Sequence, residues 1–423
     1  MKRRHFHRAF SAAATTLLLS FAAPVLAQSP VKLQFWDMIW GPTEYIDTAK
    51  SLVAQFNKAN PAIQVEYRSV PWTNWYQTYL TAINAGSAPD LSTGAGYQAV
   101  QFYDLDAIRP LDDLIAEMGK EGDIKDFREG TVERLKYKGH YIALPWGLDV
   151  RIWYYRKDLL EQAKLPLPKT WPELRAAAKA VTGGGRFGLV LPGDTMGMHM
   201  VIGAALNHGG ALFTSDGKPD LMNAKNLEAW QTLAGMASDG SVSPASAGAS
   251  MDEARRSFMQ GKSAFIYHGP GLDLQAGEAG TKIGILPPLA SPRGEKATLA
   301  WVNNIMVYKQ TKNPDAVKTF VKWWSKNQKP LFTQGQARQV PARISIAEDP
   351  TVKNRASSFA EATNTYWPIA RGTGSPVPGI FPSLNEVEGD GFLQVLAQRI
   401  GQKRPLPAAI DEADKQFREV LAK

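Results

Sequence analysis

Pro145-Trp146-Gly147-Leu148-Asp149-Val150-Arg151-Ile152-Trp153-Tyr154-Tyr155-Arg156-Lys157-Asp158-Leu159 is the stretch on which the reading of this chain turns. Its apolar and aromatic composition is that of a buried strand. Asp149 and Arg151 stand two apart in it, which puts both side chains on one face of an extended chain. Buried charges need partners. Either these two pair with each other or with core residues, or the strand leaves one lobe and enters a second with its polar pair facing the cleft between them. The flanking sequence decides.

On the N-terminal side, Val31 to Trp36 alternates apolar and polar residues and runs into the turn Asp37-Met38-Ile39-Trp40-Gly41-Pro42. Ile46, Ala49, Leu52, Val53 and Phe56 then recur at helix spacing until Asn60-Pro61. Ile63, Val65 and Tyr67 give a second strand. Trp75, Tyr76, Tyr79, Leu80 and Ile83 form a second helical stripe, and Pro89-Asp90-Leu91 opens a third strand ending at Gly94-Ala95-Gly96. Strand, helix, strand, helix, strand predicts a parallel α/β lobe. In such a sheet ligands sit beyond the carboxyl ends of the strands, so Trp36 to Trp40 and Gly94 to Tyr97 are the places to look. No Gly-Lys-Ser/Thr follows Gly96, which argues against a phosphate loop.

On the C-terminal side, Lys138-Gly139 turns a hairpin and Thr170-Trp171-Pro172-Glu173 is a capping box for a helix with Leu174, Ala177, Ala178 and Val181 behind it. Phe187 to Leu191 is a strand, Met198 to Asn207 is small and apolar enough for a buried helix, and Asn226 to Ala237 is another helix. Lys262 to His268, Lys282 to Leu286 and Leu299 to Lys309 read as strands. Asn313-Pro314 starts a helix with Val317, Phe320, Val321 and Trp324 on one face, and the tail from Thr351 is mainly helical. A second, helix-rich lobe is expected from about Arg151 to Gly261.

The 423 residues are 44% hydrophobic and 21% charged, enough for two globular lobes. Lys2, Arg3, Arg4 and Arg8 precede an apolar run from Ala12 to Leu26, and Val25-Leu26-Ala27 is a small-residue cleavage site, so residues 1–27 are expected to be a secretory leader. Its basic start resembles a twin-arginine export motif, and a general secretory signal looks similar. Removing it lowers the formal charge from +8 to +4, and without a basic block that excess argues against nucleic acid as partner. The chain has no Cys, hence no disulfide, thiol chemistry or lipid-anchor cysteine at the leader junction. A periplasmic location follows as the expectation.

The order of six stretches resembles the extracytoplasmic sugar-binding proteins of ATP-driven (ABC) importers, the family 1, maltose-binding-protein-like group. The stretches are Val31 to Asp37 with its helix; Ala88-Pro89-Asp90-Leu91; Leu144-Pro145 followed by Trp153 to Leu159; Pro168 to Leu174; Gly261 to Pro270; and Lys312 to Trp324. Arg156 stands where that family usually has Asn. The resemblance implies an α/β, two-lobe periplasmic binding protein fold (type II), its lobes joined by crossing hinge segments near Pro145 to Val150, near Tyr267 to Gly271, and close to Thr311 or the start of the tail. The expected lobes are residues 28–148 plus 268–312, and residues 149–267 plus 313–423, with the tail free to pack across both. It also implies that Asp149 aligns with a carboxylate contacting sugar hydroxyls, that Asp194 lies in a loop of second-lobe contacts, and that Gly271 stands where a stacking aromatic is usual.

Sugars present hydroxyls at their edges and C–H patches on their faces, so a sugar site needs planar hydrogen-bonding groups together with aromatic rings. The loop ends supply both: Trp36, Asp37, Trp40, Tyr97, Asp149, Arg151, Asp194, His268, Trp301, Asn303, Arg371 and Phe381. Asp149, Arg151, Asp37 and Asn303 are expected to hydrogen-bond hydroxyls, and Trp40 and Trp301 to stack. Core packing is the competing reading for each Trp, helix-side capping for Asp37, and plain solvation for Arg371. The expectation is a monomer that captures a mono- or oligosaccharide, or a related polyol or sugar phosphate, and delivers it to a membrane permease with a cytoplasmic ATPase. It requires no cofactor and no metal. Arg151, Arg338 and Arg371 leave an acidic sugar open. The alternative is a secreted carbohydrate-active hydrolase drawing on Asp37, Asp149 and Asp194, against which no hydrolase motif or metal-ligand spacing is found.

Overall fold

In the computed structural model, which describes residues 29–377 and 379–422, β1 (Val31–Met38) and β2 (Ile63–Val70) pair in parallel with Phe35 opposite Tyr67. β3 (Leu91–Gly94) lies parallel on the other side of β1. The helix Thr43–Ala59 connects β1 to β2 and buries Tyr45, Ala49, Leu52, Val53 and Phe56, the stripe that its spacing predicts. Lys138 and Gly139, both at positive φ, turn the hairpin of β4 (Lys136–Tyr137) and β5 (His140–Tyr141), as a two-residue hairpin turn requires. The expected leader, residues 1–27, lies outside the described residues.

β6 (Leu144–Val150) and β7 (Ile152–Arg156) form one nearly continuous extended run that changes sheets at Arg151. β7 belongs to a second sheet with β8 (Phe187–Leu189), β9 (Ser263–His268) and β10 (Ile283–Ile285), in the order β10-β7-β9-β8. β11 (Thr298–Val307) then returns to the first sheet between β6 and β3, antiparallel to both. β12 (Val340–Pro341) closes the far edge on β6, and β13 (Ala370–Arg371) pairs with β11. The first sheet is therefore mixed, parallel across β2, β1 and β3 and again between β11 and β13.

These pairings move the expected lobe boundaries. β9 ends at His268, yet the chain stays with the second sheet through β10, so the second crossing falls between Leu286 and Thr298 instead of near Tyr267 to Gly271. The helix Pro314–Lys326, expected in the second lobe, packs on the first sheet: Phe320 and Trp324 stand edge-on to Phe35 at ring centroids 5.4 and 5.0 Å away. Such aromatic pairs add roughly 0.5–1.5 kcal/mol each beyond area burial. The later tail does join the second lobe, where the helix Phe392–Gly401 packs on the buried helix Thr195–Asn207. Before it, the helix Leu384–Gly389 also reaches the first lobe, where Asn385 donates to the Gln98 carbonyl and to Gln101 Oε1.

The capping box is only half formed. Thr170 Oγ1 accepts from the Glu173 amide, but the Glu173 carboxylate accepts from the Lys169 amide, one residue before the cap.

Asp37 lies at the end of β1 but faces the core, 0% exposed. Thr93 Oγ1 accepts from the Met38 amide and the Trp40 indole, so its own proton goes to Asp37 Oδ1, 2.6 Å away. Tyr45 and Tyr67 donate to Oδ2 at 2.9 and 3.2 Å. Burial nonetheless pushes the Asp37 carboxyl up to about 7 from 3.8, against the pull of those hydroxyls. The unfolded chain then loses this proton before the folded one does, so Asp37 stabilises the fold less as pH climbs from about 4 to 7. We expect the stability of the wild type minus that of Asp37→Asn, measured by urea unfolding, to fall by a few kcal/mol (about 1.4 per pH unit) between pH 4 and 7.5. A difference that stays flat over that range contradicts the assignment.

Candidate functional site

The crossing at Arg151 places its polar pair on the wall of a cavity of about 120 Å³ between the two sheets. Asp149 sits in β6 opposite Trp301 of β11, and the Arg151 amide donates to the Leu299 carbonyl at 2.9 Å. The Arg151 guanidinium pairs with Asp149 Oδ1 and lies 5.0 Å from the Trp301 ring centroid. Gly269 makes room for the pair: a Cβ there would come within 3.3 Å of the guanidinium.

A chain of hydrogen bonds runs on from Arg151 through both lobes. Arg151 donates to His199 Nδ1 (3.1 Å from its terminal nitrogen), and His199 Nε2 faces Glu388 Oε2 at 3.3 Å. With Nδ1 accepting, the proton is on Nε2 and the ring is neutral, in keeping with burial and the Arg151 charge, which both lower its pKa. Glu388 Oε1 accepts from the Trp301 indole at 3.2 Å and from the Thr373 hydroxyl. The helix Thr195–Asn207 carries His199, and it is buried on all sides because nearly every residue of it is small or apolar.

Aromatic rings from the first lobe complete the wall. Trp40 stacks on Trp146 (4.9 Å between centroids, 22° between planes) and meets Trp72 edge-on at 5.0 Å. Trp72 donates its indole N–H to the Ile39 carbonyl. Trp75 leans on Tyr97 and Tyr97 on Trp301, at 5.9 and 6.4 Å. Opposite them are Met196, Met251 and His268, with Arg338 and Gln339 near the mouth toward β12. The cavity opens into a wider groove lined by Trp72, Asn74, Tyr76 and Gln77 on one side and Asp194, Ser250, Asp252 and Arg255 on the other.

Of the residues singled out in the sequence, Trp40, Tyr97, Asp149, Arg151, His268 and Trp301 meet on this wall. The others do not. Asp37 is in the core. Trp36 is 7% exposed beneath the Arg68 guanidinium, 4.2 Å from its ring. Asn303 is 1% exposed, opposite Gly147, and the ladder is irregular between it and Asn304. Asp194 caps the helix Thr195–Asn207 by accepting from the Met196 amide, its other oxygen accepts from the Met251 amide of a neighbouring helix, and it lines the groove instead of the inner cavity. Arg371 is exposed on a separate cavity that shares Tyr97 and Trp301 with this wall, and Phe381 stands edge-on to Phe213 at 4.9 Å. Sequence reasoning missed Trp72, His199, Gln339 and Glu388, and read Trp75 only as part of a helical stripe. Trp72 and Trp75 follow the carboxyl end of β2, where the strand-end rule that pointed to Trp40 would have found them. His199 and Glu388 carry no such signal.

Among the described residues no cluster of His, Asp and Glu suits a metal ion, and no helix is long and apolar enough to cross a membrane. The chain matches the family described as bacterial extracellular solute-binding protein over residues 41–329. A solved structure of a sugar transporter from Arthrobacter chlorophenolicus A6, described with bound laminaribiose, is 32% identical; the match covers 93% of this chain and 100% of that one, with a TM-score of 0.87. The maltose-bound MalE3 of T. maritima, 21% identical over 92% and 99% of the two chains, has a TM-score of 0.79 and shares the fold. A putative binding protein of Brucella abortus is 27% identical over 288 residues, 66% of this chain and 69% of its own. With the family pattern spanning most of its length and a relative of known structure aligned end to end, the chain belongs to the bacterial extracellular solute-binding proteins.

Proposed function

We propose that this protein captures a sugar, or a related polyol, between its two lobes and presents it to a membrane permease driven by a cytoplasmic ATPase. The observation that carries this reading is the cavity wall, where aromatic faces and planar polar groups are drawn from both lobes around one space. Asp149, Arg151 and His268 supply hydrogen bonds to hydroxyls, and Trp72, Trp75 and Trp301 supply apolar faces. The laminaribiose described in the Arthrobacter relative supports a sugar as ligand. Contacts to both lobes favour a closed form over an open one, and closure is what a permease can read. The expected leader and the family's extracellular character support a periplasmic location.

The hydrolase alternative has little to work with. A glycosidase needs two carboxyl groups flanking the bond to be cleaved. Asp37 is in the core, Asp194 is occupied as a helix cap, and both oxygens of Glu388 are engaged by Trp301, Thr373 and His199. Asp149 is left without a second free carboxylate on the cavity wall.

A thermal-shift screen of sugars and polyols is expected to return at least one ligand that, at 100 times its Kd, stabilises the protein by about 2.7 kcal/mol. Trp72→Ala should weaken that ligand roughly 3- to 10-fold in calorimetry with little change in melting temperature, since Trp72 is only half-buried. Unchanged affinity would remove Trp72 from the site. Small-angle scattering should record a smaller radius of gyration with ligand, and an unchanged radius counts against the clamp.

A further inference from the structure

Resting on the sugar-binding reading, the wall can be asked which hydrogen bonds it leaves for a ligand to complete. His268 is 4% exposed at the end of β9. Its Nδ1 is 3.0 Å from the Gly269 carbonyl, which fixes the proton there and makes Nε2 an acceptor; among the described residues no donor reaches that Nε2. Asp149 Oδ1 is taken by Arg151, and its Oδ2 has no donor among the described residues. Near His268 stands an unmatched donor group, whose charge acts on its ring. Arg338 has no carboxylate within ion-pair distance among the described residues, and its Nε is buried without an acceptor. Arg151 and Arg255 each hold a carboxylate, Asp149 and Asp252, although Arg255 Nη1 is also buried without an acceptor among the described residues.

The arginine count alone suggests an anionic ligand, but the unmatched acceptors suggest otherwise. A carboxylate or phosphate oxygen would satisfy Arg338 but not the acceptors of His268 and Asp149, which need hydroxyl donors from elsewhere on the ligand, and it adds negative charge beside Asp149 and Glu388. A hydroxyl both accepts and donates. We propose that the cavity selects an uncharged polyhydroxyl sugar over its uronate or phosphate counterpart, with Arg338 and His268 as the specificity-determining pair. Arg338 donates to hydroxyl oxygen, and His268 Nε2 accepts a hydroxyl hydrogen. Burial, followed by the nearby Arg338 charge, lowers the His268 pKa well below the usual value, so the acceptor persists at neutral pH. Burial brings Arg338 itself down to about 10, still cationic there.

Calorimetry on the full chain without its leader tests this. The probes are laminaribiose, cellobiose, maltose, glucose, galactose and xylose, set against glucuronate, galacturonate and glucose 6-phosphate. The expected result is a neutral sugar bound at least about 100-fold tighter than any of the anions, because unmatched buried polar groups discriminate strongly. His268→Leu and Arg338→Gln should each weaken that sugar about 10-fold or more while keeping a native circular dichroism spectrum, and His268→Gln, which retains an acceptor, should lose less. An anion bound as tightly as the best neutral sugar overturns this inference and leaves sugar capture standing. Neutral preference that survives unchanged in folded His268→Leu and Arg338→Gln overturns the assignment to these two residues. Failure of all nine probes to bind overturns the inference and the sugar-binding reading together. The wild-type comparison decides the ligand class even where a variant fails to fold.

Discussion

The structure depends on one extended run of backbone serving two sheets. β6 ends at Val150 paired with Ala300, and β7 begins at Ile152 paired with His268, so Arg151 belongs to neither sheet and touches both. Its carbonyl accepts from Thr298 Oγ1, which also meets the Tyr267 hydroxyl at 2.9 Å, and Tyr267 in turn accepts from the Leu299 amide. The two crossings, β6 to β7 and β10 to β11, are thereby tied side by side. A narrow tie of this kind lets two packed bodies turn against each other while their cores stay intact.

The same geometry explains why charge gathers at the seam. Where two sheets part, backbone and side chains face a space that neither core fills, and the polar groups there must satisfy one another. Asp149, Arg151, His199, Glu388 and Trp301 do so in a continuous chain. Breaking one partner of a buried charged pair costs several kcal/mol because the other is left uncompensated. The chain thus holds Asp149 and Arg151 rigidly on the cavity wall, and beside them it leaves His268 Nε2 and Arg338 unmatched. The contrast with Asp37 is instructive: three hydroxyl donors and full burial make it part of the scaffold, although its place at a strand end is what a ligand carboxylate would occupy.

Much of the fold was legible because it rests on local patterns. The stripe Tyr45, Ala49, Leu52, Val53 and Phe56, the alternation of β2, and the turn Lys138-Gly139 each follow from spacing or backbone stereochemistry. The site was half legible. Trp40, Tyr97 and Asp149 lie at ends of elements that the sequence places, whereas Trp36, Asp37 and Asn303, equally plausible by position, are buried away from the cavity wall. One residue of shift reverses a strand side chain, and Asn303, although in regular register with Trp301 up to the irregularity that follows it, is covered to 1% exposure.

By itself the amino-acid order determined an α/β chain long enough for two lobes and a mixture of rings and planar polar groups suited to a sugar, because periodicity and composition are properties of neighbours in sequence; the crossing near Pro145 to Val150 was an expectation of the resemblance. Only the tertiary structure decided that Ile283–Ile285 stays with the second sheet, that the helix Pro314–Lys326 returns to the first, and that His199, Arg338 and Glu388 meet Arg151 around one cavity. Those outcomes are set by which surfaces bury one another across hundreds of residues, and no local pattern records that competition.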